Sequence, residues 1–458
     1  MIDKIKNLLI SFANKNKEII KRIVPASLIN FASVLIQKKA FSWNYSGKYD
    51  SSKFENGVNL FGFLSSNSGV GQGSRIIAEA LHKSDIPFTL IDLKTEYSNE
   101  KNYPDFFEKY LSDTPKYGIN IVHVNPRDFF IHLSSFPKSI WQNHYNICIW
   151  LWELEDYPDV WDDYFLFPDE IWTPSVFNSK AIEKKSKVPV YTIPYGISVD
   201  YDEKFDRNYF GIPQDKFVFF VAYDFNSGAM RKNPRGAVDA YKRAFNKSEN
   251  TILLLKIGNA KKEEIDKLKN SLSDRKDIIF FDKSLSKIEF NSLLRSCDVF
   301  VSLHRSEGFG LVPAESMYLG IPSIATAYSA NLDFMNSENS CLIDYELIPV
   351  EDNVIYLPLF EGKLVPKWAD PNIEQASEYM IKLYRDRDFY NKISENAQKS
   401  IRQNFSIENT VNKILMRKMV IEISESYKRE KKAGKTDEVV LLKTGNTFSV
   451  NKSNVKIK

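Results

Sequence analysis

The stretch Val299-Phe-Val-Ser-Leu-His-Arg-Ser-Glu307-Gly-Phe-Gly-Leu-Val-Pro-Ala-Glu315-Ser-Met-Tyr-Leu-Gly-Ile-Pro-Ser-Ile-Ala-Thr326 decides the fold. Val299, Phe300, Val301 and Leu303 make a short run rich in β-branched and aromatic residues, the composition of a parallel strand buried on both faces. Gly308 and Gly310 then allow a ligand close to the backbone, Pro313 suits the first turn of a helix, and Gly320 with Pro322 stops it. Backbone N–H groups from about Phe309 to Glu315 therefore face the crevice beyond the strand end, where an anion is favoured. Two carboxylates do not suit a phosphate site, so Glu307 and Glu315 are candidates for accepting hydrogen bonds from sugar hydroxyls. The structural alternative makes Glu315 a first-turn acid complementing the helix dipole and Glu307 a solvated loop residue.

The two acids, with Gly-Phe-Gly after the first and Pro-Ala before the second, form a Glu-x7-Glu pattern. It resembles the signature of the retaining nucleotide-sugar glycosyltransferases of the GT-B fold, the "group 1" family, and the resemblance runs over roughly residues 58–425. What it implies is an α/β chain of two Rossmann-like, doubly wound domains facing a cleft, with a C-terminal helix crossing back to the first. It also implies that Glu307 and the amides of Phe309, Gly310 and Leu311 hold the donor sugar, while Glu315 holds the nucleotide ribose.

Working outward, Phe217-Val-Phe-Phe-Val-Ala222 opens the second domain as another buried strand and leads to Arg231-Lys232-Asn-Pro234 at a helix start. Cations at a helix N-terminus oppose the dipole and need a reason to be there. The resembled family places an Arg and a Lys five residues apart here to neutralise the donor diphosphate. Lys232 matches the lysine, but the arginine position holds Ser227, leaving Arg231 and Lys256, the latter at the end of Leu253-Leu-Leu-Lys-Ile257, as candidates for the second cation.

In the first half, Val58-Asn-Leu-Phe-Gly-Phe-Leu64 precedes a loop with Gly69 and Gly71 and a helical pattern at Ile76, Ile77, Ala80 and Leu81. With Ser74 small and Asp92 about 20 residues on, the spacing also fits a dinucleotide-binding fingerprint, so an NAD-dependent oxidoreductase is the leading alternative. The resemblance instead makes Gly69 and Gly71 the near wall of a nucleotide-sugar site. Strands Ile119–Val124 and Tyr145–Trp152 deliver His123 and Glu153 to the acceptor side, with a buried, hydrogen-bonded histidine as the plain reading of His123.

The expected organisation is a basic amphipathic segment over residues 1–40, a Rossmann-like acceptor domain over 41–212, a Rossmann-like donor domain over 213–403, a helix over 404–427 returning to the first domain, and a basic tail over 428–458. Val439 to Leu442 offers one further strand. The first 40 residues hold eight Lys or Arg against Asp3 and Glu18, with Ile5, Leu9, Phe12, Ile19, Ile20 and Ile23 at helical spacing, suiting an anionic membrane surface or packing on a partner.

A formal charge of +3 over 458 residues excludes nucleic-acid binding by bulk charge, and no apolar run reaches the roughly 18 residues of a membrane span. A cytoplasmic enzyme, peripheral at the inner membrane face through residues 1–40, is expected. Cys148, Cys297 and Cys341 lie apart in apolar runs, as core residues of a reducing compartment do. Asp386-Arg-Asp388 mimics an Asp-x-Asp metal motif, but it sits amid a helical pattern and reads as surface charge, so neither metal nor cofactor is expected. The reaction these residues suggest moves a sugar from a nucleotide diphosphate donor to a hydroxyl on a glycan or lipid-linked glycan. A nucleotide-sugar epimerase and a non-catalytic membrane-surface module are the other readings.

Overall fold

The computed structural model describes residues 49–94, 101, 103–133, 136–259, 262–352, 356–360, 362–432, 441–444 and 447–450. The basic segment 1–40 lies outside the described residues, as does most of the tail. Strands β1 (Glu55–Gly62), β2 (Phe88–Asp92), β3 (Tyr117–Val122), β4 (Tyr145–Ile149), β5 (Glu170–Thr173) and β6 (Val190–Thr192) form one parallel sheet in the order β2-β1-β3-β4-β5-β6. Strands β7 (Phe217–Asp224), β8 (Thr251–Gly258), β9 (Ile278–Phe281), β10 (Val299–Ser302), β11 (Ser323–Thr326) and β12 (Cys341–Ile343) form a second, in the order β12-β11-β10-β7-β8-β9.

Both orders reverse between two central neighbours, β1 with β3 and β7 with β10. Flanking crossovers leave such a pair in opposite directions, which opens a crevice beyond the carboxyl ends of the strands. The glycine loop follows β1, His123 follows β3, Arg231 and Lys232 follow β7, and Glu307 follows β10. Topology therefore brings the separate sequence motifs to two facing crevices.

Register in the first sheet is held by a buried polar ladder. Thr89 Oγ1 donates to Asn59 Oδ1 at 2.9 Å, Asn59 Nδ2 to Asn120 Oδ1 at 2.8 Å, and Asn120 Nδ2 to Asn146 Oδ1 at 3.0 Å, crossing β2, β1, β3 and β4. A one-residue slip would leave these amides unpaired in the core. The second sheet is held by apolar packing instead. Val218 to Val221 of β7 and Ile252 to Leu255 of β8 are all buried. All three cysteines are buried and free.

The helix Ile407–Lys432 returns to the first domain. Ile407, Val411, Ile414 and Ile421 share a core with Ile76, Ile77 and Leu81 of the helix Gly69–His82. Arg417 Nη2 donates to Glu170 Oε2 at 2.6 Å, and its guanidinium lies 3.6 Å from the ring centroid of Tyr191. The helix runs five residues past the expected boundary at 427, and Leu441–Thr444 pairs antiparallel with Thr447–Val450 apart from both sheets.

After β12 the chain forms an antiparallel pair, β13 (Tyr345–Pro349) with β14 (Lys367–Pro371). Between them, Val350, Tyr356 and Phe360 sink into the first domain's aromatic core beside Trp150, Trp152 and Trp161. The ring centroids of Trp152 and Tyr356 are 5.7 Å apart, so this excursion ties the two domains together on the cleft side.

Candidate active site

The centre of the cleft is an ion cluster on Glu307. A one-turn helix, Ala229–Lys232, follows β7 and aims its last two side chains at the end of β10. Lys232 Nζ donates to Glu307 Oε1, and Arg231 Nη1 reaches Glu307 Oε2 at 3.2 Å and Ser306 O at 2.7 Å. Arg231 Nη2 donates back to Ser227 O at 3.0 Å. The guanidinium thus reaches back across the Gly228 turn to the backbone of Ser227, the position to which the resemblance assigns an arginine.

Burial works to raise the pKa of Glu307, but Lys232 and Arg231, with His304, more than offset it and hold the carboxyl at about 2. Glu307 is thus ionised, while burial lowers the pKa of the Lys232 ammonium against the opposing charge of Glu307, and charge-assisted bonds of this kind are the strong ones. Glu153, from the loop after β4, adds a second carboxylate, 4.0 Å from Arg231 Nη2. The first domain is bonded directly to this loop. Ser306 Oγ donates to Glu153 O, and Ser175 Oγ donates to Gly308 O at 3.1 Å, with Asn178 Nδ2 on the same carbonyl.

Glu315 sits in the helix Leu311–Tyr318 and is 3% exposed. Lys287 Nζ donates to its Oε1 at 2.6 Å, while its Oε2 has no partner among the described residues. An unpaired carboxylate oxygen in a buried setting is where a ligand hydroxyl belongs. Gly310, at φ 94°, turns the chain into that helix in a conformation that favours glycine, and no side chain caps the helix start. The first-turn amides near Leu311 are left for an anion. Phe309 is buried between Tyr195 and Phe334, at centroid separations of 5.1 and 5.5 Å, which fixes the loop from both domains.

The other candidates make bonds and contacts of their own. His123 is wholly buried, with Ser74 Oγ on Nδ1 and Tyr195 OH on Nε2, both at 2.9 Å, and burial pushes it down to about 3, so it is neutral. Its position is that of a packed, hydrogen-bonded histidine linked through Tyr195 to Phe309. Lys256 is buried on β8, where burial lowers its pKa against the charges of Asp224 and Asp282. Gly69 has open space around it, whereas a Cβ on Gly71 would stand 2.4 Å from Ser66 O, so the second glycine serves the packing of the helix on its own loop.

Asp92 accepts from Ser65 N at 3.1 Å and from Lys94 Nζ at 2.5 Å. The acid that a dinucleotide ribose would need is therefore occupied by its own loop. Asp386 caps the helix Arg387–Asn404, accepting from Phe389 N at 2.9 Å. Among the described residues no three His, Cys, Asp or Glu side chains gather as metal ligands, and no helix is long and apolar enough to cross a membrane.

Three residues of the site carried no usable sequence signal. Arg75 of the helix Gly69–His82 donates to Leu64 O and Ser66 O at 2.8 Å and faces the charge of Glu315 from the opposite domain. His304 is wholly buried beside Glu307, and neither ring nitrogen has a partner among the described residues. Tyr356 lies within electrostatic reach of Arg231, Glu153 and Glu307. His304 stands within the deciding stretch, but only the strand end shows which way it faces.

Residues 202–344 match the family model described as Glycosyl transferases group 1. Among solved structures, HepE of Anabaena in complex with UDP and glucose superposes with a TM-score of 0.58 at 12% identity, covering 79% of this chain and 99% of that one. A glycosyltransferase from Rickettsia africae gives a TM-score of 0.56 at 15% identity, covering 80% and 99%. Sucrose-phosphate synthase of Thermosynechococcus elongatus gives 0.55 at 15% identity, covering 80% and 100%. No curated protein matches the sequence. At these identities the likeness concerns the fold, which is the two-domain GT-B arrangement.

Proposed function

With a group 1 glycosyltransferase domain over residues 202–344 of a GT-B glycosyltransferase as the premise, we propose that the chain moves a sugar from a nucleotide diphosphate donor to a hydroxyl acceptor with retention at the anomeric carbon. The observation that carries this reading is the convergence of Lys232 and Arg231 on Glu307, between β7 and β10.

Breaking the anomeric C–O bond leaves positive charge on the sugar and one further negative charge on the diphosphate. Lys232, Arg231 and the uncapped amides near Leu311 are placed to stabilise that anion, and this electrostatic term is the main one in group transfer of this kind. Glu307 accepts hydrogen bonds from the donor sugar, and Glu315 Oε2 from the ribose. The acceptor oxygen bonds to the anomeric carbon on the face the phosphate leaves, and its proton passes to the departing phosphate oxygen. A base carboxylate is then unnecessary, and the two cations do the work a metal does in other transferases. Glu153, on the first-domain side of Arg231, faces the acceptor.

The acceptor in this proposal is a glycan or lipid-linked glycan of surface polysaccharide synthesis, met at the cytoplasmic face of a membrane. The net charge of +6 over residues 1–40 supports a peripheral contact there, eight basic residues standing against two acids. Co-sedimentation of the full chain with anionic but not neutral vesicles is the expected result.

HepE is seen with UDP-glucose, which makes that donor the first to test. A thermal-shift panel of UDP-, GDP-, ADP- and dTDP-sugars should single out one nucleotide. A ligand at a hundredfold its Kd stabilises by about 2.7 kcal/mol, a shift of several degrees. Lys232→Met should abolish the shift. Equal silence across all four nucleotides would contradict the proposal.

A further inference from the structure

The loop Tyr328–Asp333 contains a residue held where a side chain is not expected. Ser329 stands at φ 75°, ψ −149°, a region essentially reserved for glycine. It is also buried, at 5% exposure. Glycine would satisfy that backbone without strain, so the serine must contribute what glycine lacks, its hydroxyl. Ser329 Oγ accepts the hydrogen bond of Glu307 N at 2.8 Å, and the next amide, Ala330 N, donates to Glu307 O at 3.3 Å. Both backbone polar groups of Glu307 are thus gripped by one short loop, while Lys232 and Arg231 grip its carboxylate.

The strained loop is pinned on either side of Ser329. Tyr328 OH donates to Glu155 Oε1 at 3.3 Å, and Asp333 Oδ2 accepts from Val176 N at 2.7 Å, both contacts reaching the first domain. Asn331 Nδ2 donates to Thr326 O at 3.0 Å within its own domain. Strain of this kind persists only where the surroundings over-determine the backbone, and these contacts supply that.

We propose that Ser329 is a positioning residue, fixing the backbone of Glu307 so that its carboxylate meets the donor sugar, with the loop Tyr328–Asp333 anchoring that grip to the first domain. The proposal rests on the reading of Glu307 as the sugar ligand. It concerns the backbone hold and not the sugar contact itself, so the two can be tested apart.

Ser329→Ala keeps the strain and removes the hydroxyl, and Ser329→Gly removes both. Hydrogen–deuterium exchange of the full-length chain, read on the peptide holding the Glu307 amide, should speed up about tenfold at that amide in both variants. Unchanged protection in both overturns the hold. Ser329→Gly should melt about 1–3 °C above Ser329→Ala, and the reverse order overturns the strain argument. In donor turnover, followed with the nucleotide sugar that shifts the melting temperature most, both variants should lose about tenfold in kcat while binding of the free nucleoside diphosphate stays put, since only the sugar touches Glu307.

Glu307→Gln run alongside separates the two ideas. With turnover lost and amide protection kept, the sugar-ligand reading stands and the Ser329 variants decide the proposal. If Glu307→Gln turns over the donor like the parent, the sugar-ligand reading fails, and positioning for catalysis falls with it, whatever the exchange data say of the hold.

Discussion

Replacing Glu307 by glutamine keeps the side chain's shape and removes the charge that Lys232 and Arg231 face, so it tests the ion cluster through pH. The carboxyl is held at about 2 against an ordinary 4.5, and its side chain is only 8% accessible, so no large discount for solvent applies. A group depressed on folding adds stability that is complete above its unfolded value and lost as pH falls toward its folded one. At about 1.4 kcal/mol per pH unit, the depression amounts to about 3 kcal/mol at neutral pH, of which about 1 kcal/mol is gone by pH 4 and about 2 kcal/mol by pH 3. Glu307→Gln should therefore be less stable than the parent by about 3 kcal/mol at pH 7, with the gap narrowing to about 2 kcal/mol at pH 4. Urea unfolding of both proteins at each pH, followed by tryptophan fluorescence, measures the gap, and other carboxylates cancel in the comparison. Two curves that stay parallel from pH 7 to pH 4 would refute the claim that the cations hold this carboxylate ionised.

Asn120→Leu should cost about 2–4 kcal/mol in chemical unfolding, because it strips partners from Asn59 Nδ2, Asn146 Oδ1 and Ile140 O in the core of the first sheet. Arg417→Met leaves Glu170, which is 0% exposed, with only Tyr145 OH and Trp172 Nε1 among the described residues, so the helix Ile407–Lys432 should loosen by about 3–5 kcal/mol and become open to limited proteolysis. A Cβ on Gly73 would stand 2.6 Å from His123 Cε1 and from Tyr195 OH. Gly73→Ala should therefore lower the melting temperature by an overpacking cost of about 1–3 kcal/mol and slow donor turnover through the contact of Tyr195 with Phe309.

What was legible in the chain was whatever local pattern dictates. The strands around Val299, Phe217 and Val58 show in apolar runs because parallel strands are buried on both faces, and the turn at Gly310 shows because its positive φ calls for glycine. Arg231 could be named as a cation near Lys232. That it reaches back to Ser227 O while also holding Glu307 depends on the one-turn helix that aims it, which four residues of sequence do not announce.

Long-range contacts left less trace. The excursion between β13 and β14 has no periodicity of its own, since its aromatic residues are buried by the other domain. Ser329 is invisible to pattern because serine gives no sign of a positive φ. His123 shows the opposite limit: a histidine at a strand end invites a substrate role, yet Ser74 and Tyr195 take both ring nitrogens.

The most direct test of the transfer reaction is nucleoside diphosphate release from the stabilising nucleotide sugar, with acceptor present, by the parent chain, Glu307→Gln and Lys232→Met. Release by the parent, reduced at least about a hundredfold in each variant, is the predicted result, as expected when an interaction that strengthens in the transition state is removed. Release at the parental rate from either variant would contradict the account.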